Sequence, residues 1–394
     1  MRRDDLSHAV RETLVRLPPP HDNAHGVVPR APPEQGVMLG ATSARHLAAE
    51  QAMVEVDLYA KTLHDPYVVS RILTRQEAVS SSAIEGTHST LDELLTAEET
   101  QDDETQGAVR LVRNYAAALQ TAVVRARARG TDVFSLALIQ NLHRRVMRPD
   151  RDYRDKPGAL REVTVWIGGQ DIAYSTFNSP PADRVPPCLA DNVAYMRAEG
   201  LHAQQQSLLT RMAIAHAHFE AVHPFRDGNG RVGRLLLPVM MAAEGRTPLY
   251  LSAYIEANKA RYYDALKAAQ QRLDWPAMIG FLSEAVIGSA AELKRTRESL
   301  EALRTIWLAR RAFRKGSSAL RALEVIPQYP VVSIARLAEL LGVSFPAASK
   351  AVSQLCDIGV LRERTGYERN RIYVAREALT VMNRPFGAEP VLPD

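Results

Sequence analysis

The sequence predicts a mainly α-helical protein that contains a short β-hairpin and a C-terminal domain of different design. Apolar residues recur with helical spacing over most of the chain, as in the runs 208–221 and 232–243. The stretch 163–169 instead alternates β-branched residues before a Gly-Gly pair, which is typical of a hairpin. After residue 315 the pattern changes to short helices followed by two strands. We therefore expect a helical body and a second, smaller domain.

Composition and charge exclude some classes of protein. The chain has 394 residues, of which 46% are apolar, and a net charge of +4. It has no run of about eighteen apolar residues and no apolar leader after Met1, so we expect no signal peptide and no membrane contact. Cys188 and Cys356 lie far apart, so we expect free thiols in a cytoplasmic protein. Between Lys294 and Arg376 basic residues exceed acidic ones by nine, which makes the C-terminal part the basic part.

The stretch 223–234 combines groups that bind phosphate. It lies between two helical runs, so it is predicted to be a tight loop that opens a helix. Gly228 and Gly230 let the backbone come close to a ligand, and the N–H groups of a helix N-terminus suit a phosphate. Arg231 and Arg234 are three residues apart and share a helical face, so they can hold further phosphates.

Two further residues make this stretch a candidate catalytic site. Asp227 offers the oxygen ligand that Mg²⁺ prefers, and His223 is a natural base at neutral pH. A zinc site of His216, His218 and His223 is disfavoured, because positions i and i+2 point to different sides of a helix and no cysteine completes the set. The plainer alternative, a solvated basic turn with a core histidine, requires each of these groups to be coincidental. The pattern therefore indicates a nucleotide-handling site.

The stretch resembles the signature of Fic-domain proteins, His-x-Phe-x-[Asp/Glu]-Gly-Asn-Gly-Arg-x-x-Arg, and it matches at every specified position. The resemblance implies an all-α catalytic domain that transfers AMP from ATP to a Ser, Thr or Tyr hydroxyl of a protein, including itself. Doc-type relatives, which transfer phosphate, usually carry Lys at the position of Gly230, so we expect adenylyl transfer. The alternative is a DNA-binding regulator whose Fic body senses nucleotide.

The same resemblance assigns a role to each residue of the signature. His223 would take the proton of the attacking hydroxyl, and Asp227 would hold Mg²⁺ between the phosphates. Phe225 is expected to be a buried anchor under the loop. The residues expected to bind ATP are Asp227, Gly228, Asn229, Gly230, Arg231 and Arg234.

An upstream segment, Ser81–Gly86, matches the inhibitory pattern of the family, [Ser/Thr]-x-x-x-Glu-[Gly/Asn]. By itself it is a serine-rich helix end with a solvated glutamate, followed by a glycine that stops the helix. The resemblance implies that Glu85 pairs with Arg234, the residue expected to hold the γ-phosphate, and that Ser81 steadies Glu85. Movement of Glu85 would then allow transfer, or Glu85 would position a water that removes AMP.

Two other features acquire roles through the resemblance. The predicted hairpin corresponds to a flap that borders the nucleotide and holds the target by strand addition; without the resemblance it is a surface loop. Tyr262 and Tyr263 lie on a predicted helix and would pack near the adenine, although adjacent tyrosines are more often packing residues. The flap residues expected to face nucleotide or target are Val165, Trp166, Ile167 and Gly168.

The C-terminal region looks like a winged helix. Predicted helices at 319–326, 333–341 and 345–356 precede a strand, a turn and a strand at 360–374. Residues 315–378 would bind DNA, or would serve as a protein-contact module. The side chains expected to face DNA are Ser349, Lys350, Ser353 and Gln354 on the recognition helix, and Arg369 and Arg371 on the wing.

The sequence also gives domain boundaries. We expect the inhibitory segment and the connector helix to offer surfaces for a homodimer. The expected parts are an extended arm at 1–42, a helical region with the inhibitory segment at 43–107, the Fic core at 108–285, a connector helix at 286–314 and the winged-helix domain at 315–394.

Overall fold

The chain is described by a computed structural model that covers residues 1–61, 66–100, 107–148, 150, 153–366 and 370–393, without the side chains of 66–70 and 203. Helices dominate these residues, so the prediction of a mainly α fold is confirmed. In chain order the α-helices are α1 (His8–Arg11), α2 (Ser43–Lys61), α3 (Pro66–Ile84), α4 (Leu91–Thr100), α5 (Gly107–Arg129), α6 (Leu136–Met147), α7 (Val185–Met196), α8 (His202–Gln205), α9 (Leu208–Val222), α10 (Asn229–Ala243), α11 (Ser252–Ala257), α12 (Lys259–Arg272), α13 (Trp275–Ala309), α14 (Ser318–Val325), α15 (Ile334–Leu341), α16 (Phe345–Asp357) and α17 (Arg376–Met382).

The strands of the described residues form small antiparallel sheets. The strands are β1 (Leu14–Arg16), β2 (His25–Val27), β3 (Trp166–Ile167), β4 (Phe177–Asn178), β5 (Val331–Ser333), β6 (Arg362–Glu363) and β7 (Ile372–Val374). Strand β1 pairs with β2 and β3 pairs with β4, while the third sheet has the order β5–β7–β6. In the third sheet Val374 is paired with both Val331 and Arg362.

The chain divides into two compact units. Both units are discontinuous in sequence, whereas the predicted domains are continuous. The first unit contains Met1–Leu63, Ser80–Thr87 and Asn114–Ala290, and the second contains His64–Val79, His88–Arg113 and Ala291–Asp394.

Helices α9 and α10 form the centre of the first unit. Almost all of their side chains are buried, which agrees with runs that are apolar on every face. The hydroxyl of Ser207 caps α9 by accepting the N–H of Thr210. Helix α9 ends at His223, which has a φ of +49°, and α10 begins after Gly228, which has a φ of +80°. Two left-handed residues therefore bound the loop that carries the signature.

The N-terminal arm is folded into the first unit. Leu6, Val10 and Val27 form a buried cluster with Phe177 and Ala221. The arm thus contains α1 and the β1–β2 hairpin rather than an extended chain.

The predicted hairpin is present, and it is shorter than the alternation of residues suggested. Its paired residues are Trp166 and Ile167, opposite Asn178 and Phe177. Gly168 and Gly169 follow β3 with φ values of +69° and +75° and turn the chain away from the strand. We call this β3–β4 hairpin the flap.

The second unit contains α14, α15 and α16 near the predicted positions, and the third sheet, whose first strand β5 lies between α14 and α15 and was not predicted. Its core joins Leu303 and Trp307 of α13 to residues of α14 to α17, and it also includes Ile72 and Leu91. The indole Nε1 of Trp307 donates to Glu377 at 2.6 Å. Arg369, which was assigned to the wing, lies outside the described residues.

Helix α13 is the one described helix that is long and apolar enough, by length and composition, to cross a membrane. Half of its most apolar window is buried inside the protein. A buried core helix meets the same criterion, so the observation carries no further conclusion.

Gly26 in β2 provides a test of how closely the arm packs. A Cβ at this position would lie 2.5 Å from the carbonyl oxygen of Ser179 and 2.9 Å from Cδ2 of Leu17. We therefore expect Gly26→Ala to lower the free energy of unfolding by about 1–3 kcal/mol, measured by urea denaturation. Gly107→Ala is the control, because a Cβ there meets nothing within 4 Å. Equal losses in both variants would contradict close packing of the arm.

Candidate active site

The loop between α9 and α10 is fixed by a side chain that bonds to its backbone. Asn229 accepts the N–H of Phe225 through Oδ1 at 2.9 Å and donates to the carbonyl of Phe225 through Nδ2 at 2.8 Å. Phe225 is fully buried, as expected for an anchor under the loop. The side chain of Asn229 therefore fixes the backbone of the loop, in addition to the place of Asn229 at the start of the helix.

His143 on α6 supports the same loop and was missed by the sequence analysis. Its Nδ1 accepts the N–H of Gly158 at 2.8 Å, and its Nε2 donates to the carbonyl of Asp227 at 3.0 Å. Its ring also stacks on Phe225, with 3.7 Å between ring centroids. Burial lowers the pKa of His143 to about 4, so the ring keeps this neutral tautomer near pH 7. A lone histidine on an apolar helix face carries no sequence signal for this role.

Arg161 is the second residue that the sequence analysis missed. Its buried guanidinium donates to the carbonyl of His223 at 2.7 Å, to that of Val163 at 2.9 Å and to that of Pro180 at 2.6 Å. Burial lowers its pKa to about 10. Arg161 thus links the segments on either side of the flap to His223, the residue expected to be the base.

His223 is arranged as a neutral base. Its side chain is 20% exposed, and Nδ1 lies 3.3 Å from the carbonyl oxygen of Glu220. Nδ1–H therefore donates to that carbonyl and leaves the lone pair of Nε2 to accept a proton. Burial lowers the pKa of His223 to about 4, which keeps the ring unprotonated near pH 7. Its left-handed backbone is unusual for a residue other than glycine and occurs here at the candidate site.

Asp227 and Arg231 lie at the start of α10. The Asp227 side chain is 61% exposed, and its Oδ2 is 3.5 Å from Nη2 of Arg231. Arg231 is buried, and its Nε has no hydrogen-bond partner among the described residues. An unpaired buried donor beside an exposed carboxylate fits a phosphate accompanied by a divalent cation.

The N–H groups at the start of α10 are not equivalent. The N–H of Gly228 donates to Oδ1 of Asp227 at 2.6 Å, so it is engaged in this conformation. Asn229 and Gly230 begin the helix, and their N–H groups have no intrahelical acceptor. Fewer backbone N–H groups could therefore bind a phosphate in this conformation than the sequence suggested.

Arg234 brings the inhibitory segment to the loop. Its guanidinium is 1% exposed in side-chain terms and donates to Oε1 of Glu85 at 2.7 Å. It also donates to the hydroxyl of Ser81 at 3.0 Å and to the carbonyl of Ser81 at 2.8 Å. Ser81 therefore holds the arginine, whereas the sequence analysis expected it to steady Glu85.

The electrostatics of Glu85 follow from this arrangement. Burial alone would raise the pKa of Glu85, but the charge of Arg234 and the hydrogen bond from it lower the pKa below its usual value. Burial alone would lower the pKa of Arg234, but the attraction of Glu85, Tyr262 and Tyr115 and the hydrogen bond to Glu85 together raise it. A Cβ on Gly230 would lie 2.2 Å from Oε1 of Glu85. The carboxylate thus covers the start of α10.

Lys259 contacts the end of the inhibitory helix. Its Nζ donates to the carbonyl of Ile84 at 2.5 Å and lies 5.9 Å from the centre of the Tyr263 ring. A cation at the C-terminus of a helix is favourable, because the last carbonyls lack intrahelical partners. Lys259 therefore stabilises the helix turn that precedes Glu85.

The flap and tyrosine residues lie in different environments. Val165, Trp166 and Ile167 are partly exposed, and Trp166 packs edge-on against His21. Tyr263 is 44% exposed. Tyr262 is buried, and its hydroxyl is 2.7 Å from Nε2 of His216. This conformation thus leaves Tyr263 as the tyrosine with a face available to a base. The fourth predicted flap residue, Gly168, is exposed.

Comparisons with known proteins agree with the motif. Residues 44–124 match the Fic/DOC family N-terminal model, and residues 133–241 match the Fic/DOC family model. Protein adenylyltransferase fic-1 of Caenorhabditis briggsae is 34% identical over 131 residues, which are 33% of this chain and 23% of that protein. A probable protein adenylyltransferase of Aquifex aeolicus is 28% identical over 201 residues, which are 50% of this chain and 56% of that protein. The chain thus spans about a quarter to about half the length of these relatives.

A solved structure shares the fold. The crystal structure of a Fic family protein from Desulfovibrio desulfuricans aligns with a TM-score of 0.53 and 21% identity, over 87% of this chain and 98% of that one. At this identity the likeness concerns the fold alone. Two segments of the chain thus match the two Fic/DOC family models, and the complete signature at 223–234 lies within the second segment.

Proposed function

We propose that this protein is an adenylyltransferase that moves AMP from ATP to a Ser, Thr or Tyr hydroxyl of a protein. The observation that carries the proposal is the catalytic loop, in which the neutral base His223 and the cations Arg231 and Arg234 border one helix N-terminus. Two relatives named as protein adenylyltransferases support the same activity. Gly230 supports adenylyl rather than phosphoryl transfer, because Doc-type relatives usually carry Lys there.

The chain's own residues would carry out the proton transfer. Nε2 of His223 takes the proton of the target hydroxyl, whose oxygen then attacks the α-phosphorus in line as pyrophosphate leaves. Arg161 holds the His223 carbonyl, and His143 holds the Asp227 carbonyl, so the loop is organised before the substrate arrives. Such preorganisation lowers the barrier, because few groups must move during the reaction.

The phosphates would be held by α10 and its arginines. The N–H groups of Asn229 and Gly230 face developing charge, Arg231 contacts the leaving group, and Arg234 contacts the γ-phosphate. The described residues contain no cluster of three or more His, Cys, Asp or Glu that could hold a metal ion. Asp227 alone fits Mg²⁺ bound chiefly by phosphates and water, as is usual for this ion, and Mg²⁺ would supply charge neutralisation there.

The contacts of Glu85 support autoinhibition. Its carboxylate occupies Arg234, and it lies so close to Gly230 that phosphate oxygens at the same place would be repelled. ATP bound beside it would lose in-line alignment, which lowers the rate more than the affinity. Tyr263 would then face the adenine with Tyr262 packed behind it, and the flap would hold the target chain.

The first test uses ATP labelled at the α- or the γ-phosphate, with Mg²⁺ and the Glu85→Gly protein. Label from the α-phosphate alone is expected to appear on protein. His223→Ala in the same background should reduce this labelling by at least about a hundredfold and leave ATP binding intact, because only the base is lost. His8→Ala is the control, since that side chain is 90% exposed. Label from the γ-phosphate would overturn adenylyl transfer.

The second test concerns inhibition. Glu85→Gly should raise the rate of self-labelling by on the order of ten- to hundredfold, because alignment of the α-phosphate is restored. Lys259→Met should raise it by about fivefold, the factor that corresponds to a lost hydrogen bond of about 1 kcal/mol. Lys267→Met, on the same helix and exposed, is the matched control and should change nothing.

The combination of variants makes the second test decisive. If Lys259 acts through Glu85, then adding Lys259→Met to Glu85→Gly gives no further increase. Additive increases would show that Lys259 acts elsewhere. A decrease on Glu85→Gly would contradict inhibition and would instead favour a role for Glu85 in removing AMP.

We further propose that residues 315–393 form a winged helix-turn-helix, with DNA as a second ligand. The supporting observation is the exposed polar side of α16, which carries the predicted Ser349, Lys350, Ser353 and Gln354 at partly or fully exposed positions. A surface pocket of about 430 Å³, lined in part by Arg362, Arg364 and Arg376, adds positive charge. Against it, Arg364 pairs with Asp92 and Arg371 pairs with Glu363.

Gel retardation of the whole chain with duplex DNA tests this second function. We expect a shift at low salt that weakens steeply as salt rises, since phosphate contacts release counterions. Lys350→Ala should weaken the shift and Lys267→Ala should not. Absence of any shift at low salt would leave the unit as a protein-contact module.

A further inference from the structure

A second carboxyl group lies behind the base. Glu220, on α9, has a side chain that is only 7% exposed. Its Oε2 lies 4.0 Å from Nδ1 of His223, and its Oε1 has no hydrogen-bond partner within the described part of the chain. A buried carboxyl oxygen without a partner costs free energy, so Oε1 destabilises the fold where it lies.

Helix α10 leaves space for this carboxyl. A Cβ on Gly233 would lie 2.5 Å from Oε1 of Glu220. Gly233 has no left-handed backbone that would require glycine, and glycine inside a helix costs about 1 kcal/mol relative to alanine. The signature does not specify this position, so the need for space at Glu220 accounts for the glycine.

We propose that Glu220 is a positioning residue for the general base His223. The carboxylate of Glu220 faces Nδ1 of His223, while Nε2 of His223 receives the proton of the target hydroxyl. This inference rests on the proposed function and adds a residue to the same site. The O–H bond of the target breaks, its oxygen bonds to the α-phosphorus, and pyrophosphate departs with the electrons of the broken P–O bond. The proton stays on Nε2, and the positive ring is stabilised by a negative charge at 4.0 Å.

Because Glu220 acts only when it is ionised, its role should appear in the pH dependence of transfer. Burial raises the pKa of Glu220 to about 8; Glu85 also raises it and Arg234 opposes the rise. The carboxylate form therefore becomes populated as the pH rises through about 8. The assistance to His223 should increase over the same range.

Among the described residues around Glu220, the other titratable groups keep their charge in that pH range. The pKa of His216 is lowered to about 3 and that of His223 to about 4, both by burial. The pKa of Glu85 is lowered, whereas the pKa values of Arg234 and of both tyrosines are raised. The titratable groups that surround Glu220 are Glu85 at the end of α3, His216 and His223 on α9, Arg234 on α10, and Tyr262 and Tyr263 on α12.

The kinetic test compares Glu85→Gly with Glu85→Gly carrying Glu220→Gln. We expect kcat for AMP transfer to fall by about tenfold at pH ~9 and KM for ATP to stay unchanged, because the amide cannot stabilise the charged ring. Because Glu85 raises the pKa of Glu220, the increase in kcat of Glu85→Gly should lie below about pH 8, and it should disappear when Glu220→Gln is added. Glu220→Asp, which keeps the charge at a greater distance, should give an intermediate kcat.

Controls separate this role from a structural one. Glu256→Gln, an exposed glutamate on α11, should leave kcat and its pH profile unchanged. A merely structural Glu220 would alter stability without removing the increase in kcat with pH. Unchanged kcat and an unchanged profile in Glu220→Gln would overturn the proposal.

An NMR titration tests the contact without any transfer reaction. The ring signals of His223, identified by their loss in His223→Ala, should show an inflection near pH 8 in the unaltered chain, caused by ionisation of Glu220. This measurement applies even if the Glu220 variants do not fold, and absence of the inflection would overturn the proposal. If the inflection is present and no variant transfers AMP, the contact stands and the proposed function fails.

Discussion

The buried guanidinium of Arg234 is the constraint on which this site depends. A cation removed from water must be paired, and loss of one partner of a buried ion pair costs about 3–5 kcal/mol. In this conformation Ser81 and Glu85 supply the acceptors, so the end of the inhibitory helix is drawn to the catalytic loop. Any movement of Glu85 away from Arg234 therefore leaves the guanidinium without its anionic partner, which another anion has to replace.

Under the proposed function, the need of Arg234 for an anionic partner would link autoinhibition to the substrate. A phosphate oxygen is an acceptor of the same charge as the Glu85 carboxylate, so the two compete for one guanidinium. Ser81 is placed differently, because its hydroxyl and carbonyl bond the arginine and do not depend on Glu85. Arg234 can thus exchange one anion for another while it stays anchored to α3. Lys259 stabilises the last turn of that helix, because its Nζ donates a hydrogen bond to the carbonyl of Ile84, the residue before Glu85.

The sequence predicted the residues whose chemistry is carried by side-chain type and spacing. Arg234 and Glu85 form the ion pair that the motif predicted, and the flap forms beside the Gly-Gly pair. Arg161 and His143 could not be predicted, because their partners are backbone carbonyl and N–H groups, which every residue has. Ser81 contacts Arg234 through both its hydroxyl and its carbonyl, and the carbonyl contact leaves no trace in the sequence. The two compact units could not be predicted, because a periodic pattern shows that a helix is amphipathic but does not show which neighbour it packs against.

Two glycines on α10 show how the helix accommodates two carboxyl groups. Gly230 and Gly233 are three residues apart and therefore lie on neighbouring positions of one helix face. A Cβ at the first would meet Glu85 and a Cβ at the second would meet Glu220, at 2.2 and 2.5 Å. Both glycines weaken the helix relative to alanine, so the helix loses stability in order to admit negative charge near Arg234. The two carboxyl groups therefore differ: Glu85 bonds to the guanidinium and is held ionised, whereas Oε1 of Glu220 has no hydrogen-bond partner among the described residues and the pKa of Glu220 is raised. One face of one helix thus separates an ionised carboxylate that pairs with Arg234 from a buried carboxyl that faces His223.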